Sequence, residues 1–391
     1  MTLRGLTWDH PRGYRPLQAF AAHCPAAGVS WDRQPLAAFE AKPIAELARS
    51  YDLMIIDHPG LGAAIAAQAI QPLDQLVPAG LLAEWQAASV GPTWASYTVP
   101  DTTGPSTTGP STTGSGQQWA VPIDAAAQVS VFRPDRLDAA PRDWAKVPAL
   151  ARRHRTALCL GGPHAFLTLL AMCASAGPAD RDELLRPRDA AAALGILRAV
   201  WADADQEIST GDPVTVHEAM SAGSGPAYCP LAYGYASYAR PAAGRRALAW
   251  ADAPTFGSPR PGSVLGGTGL AVSAPRRPDP AEVLRFLTAF LAPDVQAGLV
   301  PAQGGQPALA AAWDSAGLDH AWGRYYSSTR RSLDAAWVRP RADGWIALQD
   351  HASELVRAVI TGQASAHQAT TLINASYREL TRAERAEAGR T

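Results

Sequence analysis

Along the first seventy residues, apolar runs of strand length alternate with stretches whose apolar positions recur at helical spacing. Leu3 to Trp8 and Val29 to Arg33 read as strands, and Arg15 to Cys24 and Ile44 to Ser50 as helices. The run Tyr51-Asp-Leu-Met-Ile-Ile-Asp57 is apolar without alternation, the pattern of a parallel strand covered on both faces. Asp57 or His58 then opens a helix through Ala69, with Pro59 in its first turn, where no N–H is needed. This rhythm of strand and helix predicts a parallel α/β sheet.

Further on, Trp119 to Phe132 reads as one extended crossing segment ending at Arg133-Pro134, and a second α/β region follows. Helical spacing predicts helices at Ala165 to Ala174, Asp180 to Leu184, Arg188 to Ala202, Val216 to Ala222 and Pro280 to Leu291, and one from Ile346 to near the C-terminus. Between them Ala227 to Leu231, Ala247 to Ala251 and Gly269 to Val272 read as strands. Residues 102–116 spell TTGPS, TTGPS, TTGSG, with no aromatic or charged side chain to bury. Five residues cannot form a packing unit, so this is expected to be a tolerated flexible surface insert and not a solenoid repeat.

Size and charge narrow the classes. The chain has 391 residues, more than the roughly 250–300 that one hydrophobic core supports, so two lobes are expected. With 34 basic and 35 acidic residues, no net field favours phosphate backbones or anionic lipid, and nucleic acid is not an expected partner. The near-neutral charge fits a monomer without excluding a dimer. The longest apolar stretch, around Ala165 to Ala176, is shorter than the roughly 20 residues a membrane helix needs, so no membrane insertion is expected. The first residues, Met-Thr-Leu-Arg-Gly-Leu-Thr-Trp, lack the basic and apolar regions of a signal peptide, which places the chain as written in the cytoplasm. Cys24, Cys159, Cys173 and Cys229 are scattered singly, as reduced and mostly buried thiols would be.

Several chemistries are missing. Both lysines, Lys42 and Lys146, follow alanine, so no phosphate-binding Gly-Lys-Ser/Thr loop is written. No GxSxG elbow, HExxH helix or GxGxxG turn occurs either, and no cofactor is expected.

What remains is a pair of Asp-His dipeptides, Trp8-Asp9-His10-Pro11 and Ile56-Asp57-His58-Pro59, each at the carboxyl end of a predicted parallel strand, where open α/β sheets bind ligands. If the strands are neighbours, two carboxylates and two imidazoles converge there, to hydrogen-bond hydroxyls, share protons or hold a divalent ion. Alternatively, Asp57 caps the following helix and the histidines precede proline turns. No diagnostic metal spacing is present, and no metal is assigned. Trp8, Trp94, Tyr228, Tyr233, Tyr235, Trp250, Trp313 and Trp322 lie near predicted loops or strand ends, where they either stack on a ligand or pack in the core. Gly266-Gly267-Thr268-Gly269 and Gln303-Gly304-Gly305-Gln306-Pro307 read as hinges, caps or points of close backbone approach.

Taken in order, Trp8 on the opening strand, Tyr51 to Asp57, Trp119-Ala-Val-Pro122-Ile-Asp124, Gly266-Gly267-Thr268-Gly269-Leu270-Ala271-Val272, Phe286 to Leu291 with Gln296, and Gly304-Gly305-Gln306-Pro307 resemble the family 1 solute-binding proteins of bacterial ABC transporters. The resemblance spans nearly the whole chain. It implies an α/β fold of the two-lobed type II periplasmic-binding-protein class, with a ligand cleft between lobes joined by hinge crossovers. Lobe 1 would be residues 1–120 plus 268–312, and lobe 2 residues 121–267 plus 313–391. The ligand, a small polar metabolite of sugar or polyol type, would meet Trp8, Asp9, His10, Asp57, His58, Asp124, Tyr233 and Gly267, with Gln128 and Tyr235 as further candidates. Exported members carry a signal peptide that is not seen here. Either an export signal was removed or missed, giving a periplasmic or cell-surface protein with an ABC permease as partner, or this is a cytoplasmic branch. In the second case an enzyme on the same fold is the alternative, with His10, His58 and Asp57 as its acid–base residues.

Overall fold

The computed structural model describes residues 2–25, 28–35, 42–100, 116–179 and 183–388. The TTGPS insert lies outside them apart from Gly116. The strands are β1 (Leu3–Trp8), β2 (Val29–Gln34), β3 (Leu53–Ile56), β4 (Ile70–Gln71), β5 (Thr98–Pro100), β6 (Gly116–Gln118), β7 (Val121–Phe132), β8 (Tyr228–Tyr233), β9 (Ala249–Ala251) and β10 (Leu265–Ser273). The helices used below are α1 (Pro11–His23), α2 (Leu61–Ala66), α3 (His164–Ala176), α4 (Pro187–Trp201), α5 (Trp345–Ile360) and α6 (Ala366–Ala388). The chain forms two compact units, one of residues 1–126, 266–318 and 338–344, the other of residues 127–265, 319–337 and 345–391.

In the first unit β1 pairs in parallel with β2 (Leu3↔Val29) and with β3 (Leu6↔Met54), so the two strands that end in Asp-His are neighbours. The sheet is not all parallel, however. β10 runs antiparallel to β3 (Gly269↔Ile56, Val272↔Leu53), and β4 runs antiparallel to β10. Short crossovers that force parallel order operate only within the first seventy residues, and β10 re-enters after a long excursion that leaves its direction unconstrained. Met54, Ile56, Leu61, Ala64, Ile70, Tyr97 and Ala271 form one apolar cluster beneath this sheet, each large apolar side chain contributing about 1.5–3 kcal/mol by leaving water.

α1 starts at Pro11, earlier than the Arg15 that apolar spacing predicts. His10 is the reason: its backbone is extended (φ −137°, ψ 142°) and its Nδ1 accepts from the Arg12 N–H at 3.1 Å, capping the first turn. The long helix expected after Asp57 is a single 3-10 turn, His58–Gly60, followed by α2.

In the second unit the latter half of β7 pairs antiparallel with β8 (Gln128↔Tyr233, Phe132↔Tyr228) and with β9 (Val131↔Trp250). α3 is buried along nearly its whole length and packs on α5, with Phe166 6.2 Å from Trp345 between ring centroids and the Phe166 N–H donating to Ser353 Oγ at 3.2 Å. The single C-terminal helix expected from Ile346 is two helices, α5 and α6. Gly362, at φ +83°, terminates the first in the left-handed region that glycine adopts without strain. Of the helix expected at Asp180 to Leu184, residues 180–182 lie outside the described set. Glu183 and Leu184 are not helical: the Leu184 and Leu185 N–H groups donate to Asn374 Oδ1 on α6 at 3.1 and 3.0 Å.

Candidate functional site

The carboxyl ends of β1 and β3 in the first unit carry the candidate site. At the end of β1 the Trp8 indole, 4% exposed, stacks against the His10 imidazole with centroids 5.1 Å apart and planes 11° from parallel. His10 can lie there because capping α1 fixes its backbone. Two residues on, Arg12 is buried and its guanidinium grips Asp124 with two charge-assisted bonds, Nε to Oδ1 at 2.9 Å and Nη2 to Oδ2 at 2.5 Å. Its Cζ lies 6.0 Å from the Trp8 ring centroid, within cation–π range. Gly267 holds β10 close to this point at φ +92°, because a Cβ there would overlap the Asp124 carbonyl oxygen and come within 3.0 Å of Ala125 Cα. Gln306 Nε2 donates to the Ala125 carbonyl at 2.7 Å, fixing the same stretch from the other side.

A second carboxylate–guanidinium pair stands at the end of β3. Asp57 Oδ1 accepts from the His58 N–H at 2.9 Å, capping the 3-10 turn, and Arg339 Nη2 reaches both carboxylate oxygens at 2.9 and 2.7 Å. Burial pushes the Asp57 carboxyl up, but the Arg339 charge and then the His58 contacts outweigh it and hold it at about 2. The side chain keeps 31% of its surface exposed. The His58 ring is fully buried, its Nδ1 3.2 Å from Asp57 Oδ1 but without hydrogen-bond alignment, and neither ring nitrogen has a hydrogen-bond partner among the described residues. Burial first, and the Arg339 charge second, lower its pKa to about 4 against the pull of Asp57, so it is neutral at physiological pH. Tyr97 packs edge-on to His58 at 6.1 Å, and its hydroxyl donates to the Ile56 carbonyl at 3.2 Å. Burial, then the Asp57 carboxylate, raise that phenol well above 10, so it remains a donor.

Asp9 does not join these groups. Its carboxylate, about half exposed, pairs with Arg33 at 3.2 Å, and Arg33 in turn lies 4.3 Å over the Tyr14 ring. The first unit thus brings together Trp8 with His10, Arg12 with Asp124 beside Gly267, and Asp57 with His58.

In the second unit, half-buried Tyr233 donates its hydroxyl to the Leu265 carbonyl at 3.2 Å and meets the His164 ring edge-on at 5.7 Å. Gln128 faces it across the β7–β8 ladder, buried, with Oε1 lacking a hydrogen-bond partner among the described residues. Tyr235 packs against His217 (5.7 Å) and Tyr238 (6.3 Å) in an aromatic cluster that also takes in Trp250. Among the described residues no group of three or more His, Cys, Asp or Glu side chains is placed to hold a metal ion.

The family model for bacterial extracellular solute-binding proteins matches residues 37–323. The chain belongs to that family. No curated protein matches the chain. Solved structures do: the maltose-bound MalE3 of T. maritima is 17% identical, with a TM-score of 0.76 over 97% of this chain and 99% of that one. A ribitol complex of an ABC-transporter solute-binding protein from Agrobacterium radiobacter is 16% identical, with a TM-score of 0.78 over 97% and 98%. A tagatose-bound counterpart from Thermotoga lettingae is 15% identical, with a TM-score of 0.73 over 97% and 99%. The solute-binding protein therefore has the two-lobed periplasmic-binding-protein fold that the resemblance implied. Its family is one of extracellular proteins, so the expected cytoplasmic placement draws no support from it, whereas the exported alternative does. Among the described residues no single helix is long and apolar enough to cross a membrane.

Sequence reasoning missed Arg12, Tyr97 and Arg339. Each arginine adjoins a proline, Pro11 at the first position of α1 and Pro340 after Arg339, but that neighbour does not say which carboxylate the side chain reaches. Tyr97 carried no signal, because its ring is seated by residues far from it in the chain, the Ile56 carbonyl it donates to and Gly269, where a Cβ would lie 2.6 Å from Tyr97 Cζ.

Proposed function

We propose that this solute-binding protein captures a small, uncharged polyhydroxy compound, a sugar or polyol, at the ends of β1 and β3, and delivers it outside the cell to an ABC permease. The observation that carries the reading is the pairing of charge. Each carboxylate of the site already faces a guanidinium, Asp124 with Arg12 and Asp57 with Arg339, so no ion is demanded of the ligand. A carboxylate nonetheless offers about four acceptor positions, of which a bidentate arginine uses two, and the rest suit hydroxyl donors. The half-buried His10 ring, backed by the Trp8 indole, adds the flat face on which a sugar ring or carbon chain stacks. Maltose, ribitol and tagatose in the similar structures support the same ligand class. The acid–base alternative finds no such support: Asp57 is held near 2 and His58 near 4, neither close to neutrality.

Isothermal titration of the purified protein with ribitol, tagatose, maltose and related neutral polyols, against sugar phosphates and sugar acids, tests the proposal. Saturable binding of a neutral compound, weakened at least tenfold in Asp124→Asn and Asp57→Asn, is expected. Binding confined to the charged compounds would sink it.

A further inference from the structure

We propose that Gly13 is a positioning residue for the ligand site, its missing side chain forming the seat on which the Trp8 indole lies. The inference rests on the reading of the His10 ring, backed by Trp8, as a ligand contact. A Cβ built on Gly13 would stand 2.5 Å from Trp8 Cε2 and 2.6 Å from Cδ1, and closer still to Nε1. These separations are below what carbon atoms tolerate, so the residue and the ring position specify each other.

Backbone conformation does not explain this glycine. Residue 13 lies in the first turn of α1, and its φ is not positive. Alanine there would stabilise an isolated helix, because glycine carries the larger backbone entropy. Gly195 in α4 shows the contrast, since a Cβ there meets nothing within 4 Å. Nor can α1 retreat to make room, because the Gly13 N–H donates to the His10 carbonyl at 2.8 Å and the Gly13 carbonyl accepts from the Thr7 hydroxyl at 3.4 Å, tying the turn to β1. A side chain at position 13 therefore moves the indole and not the helix. The displaced ring leaves its parallel stack with His10 and its contact with the Arg12 guanidinium that holds Asp124. One methyl group reaches the stacking face and one carboxylate of the site together.

The test combines stability, spectroscopy and binding on the full chain. Gly13→Ala is expected to lower the Tm in the Trp8 protein and to raise it in a Trp8→Ala background, while Gly195→Ala, the open-space control, is neutral or stabilising in both. In 5-fluorotryptophan-labelled protein, with residue 8 assigned through Trp8→Phe, Gly13→Ala is expected to shift the Trp8 fluorine resonance. Titrations with ribitol, tagatose and maltose are expected to show at least about tenfold weaker binding of whichever compound the parent protein takes, as misplacement of a positioned group by an ångström costs up to about 10²-fold. An unmoved Trp8 resonance, or a Tm effect of the same sign in both backgrounds, overturns the seat. A shifted resonance with unchanged affinity overturns its positioning role. If the parent protein binds none of the compounds, the proposed ligand class fails by itself, and the resonance and the sign reversal still decide the seat.

Discussion

Lowering the pH from 7 to 4.5 should weaken this protein through His58. Its folded-state pKa is near 4 and the model-peptide value is 6.5, so the folded chain refuses a proton that the unfolded chain accepts. The contribution is fully present above pH 6.5 and is lost progressively as the pH falls towards 4, because the unfolded state binds more protons across that window. At 1.36 kcal/mol per pH unit, the loss between pH 7 and 4.5 comes to about 2–3 kcal/mol, a large fraction of a typical domain's stability. Asp57 does not confuse the measurement: its depressed pKa near 2 contributes stability that is fully present above 3.8 and is lost only below that. The assay is urea unfolding followed by tryptophan fluorescence at half-unit steps from pH 7 to 4.5, for the parent and for His58→Gln, whose side chain does not titrate. The variant should be less stable at pH 7, and its stability should decline less with acid, by about 2 kcal/mol over the range. Parallel curves would show that the buried imidazole is not what the acid reaches, and would refute both its burial and the Arg339 field acting on it.

Other outcomes follow from the same geometry. Arg339→Met should leave Asp57 facing an apolar chain and cost about 3 kcal/mol in chemical unfolding, the lower end for a broken buried pair because Asp57 keeps some solvent; adding Asp57→Asn should recover much of it. Tyr97→Phe should lose about 1 kcal/mol, the net worth of its hydrogen bond to the Ile56 carbonyl, and should leave the apolar cluster intact by near-UV circular dichroism. In the native protein an aromatic disulfide reagent at pH 8 should label Cys24 well before Cys159, Cys173 and Cys229, which are buried, two of them with thiols raised to about 12 by burial. Equal labelling of all four without denaturant would contradict that burial.

The local part of the fold was legible because local patterns wrote it. β1 and β3 could be placed from their apolar runs, whereas their adjacency stood only as a condition until the pairing of Leu6 with Met54 showed it. The direction of β10 could not be read, since it returns to the sheet after an excursion through the second unit. The break between α5 and α6 hid for a different reason: Gly362 looks like a tolerated helix glycine until its φ is known. In the site, residues beside strand ends were visible as Trp8, His10 and Asp57, whereas their partners were not. Arg12 meets Asp124 across 112 positions and Arg339 meets Asp57 across 282, distances over which hydrophobic period and turn chemistry carry no information. Asp9 shows the converse error, for a carboxylate beside a site in sequence can face away from it when its strand neighbour offers an arginine.

The 282-residue span between Asp57 and Arg339 also sets an order of events during synthesis. At roughly 5–20 residues per second, Arg339 leaves the ribosome on the order of 15–60 s after Asp57. Throughout that interval the growing chain holds the sheet's first three strands with a carboxylate at their end and no guanidinium to neutralise it. A nascent first unit is therefore an unfinished one, its Asp57 carboxylate without the guanidinium that pairs with it in the mature protein. A ribosome stalled before residue 339 would leave a chain whose N-terminal third is digested by protease far more readily than the same residues in the completed molecule.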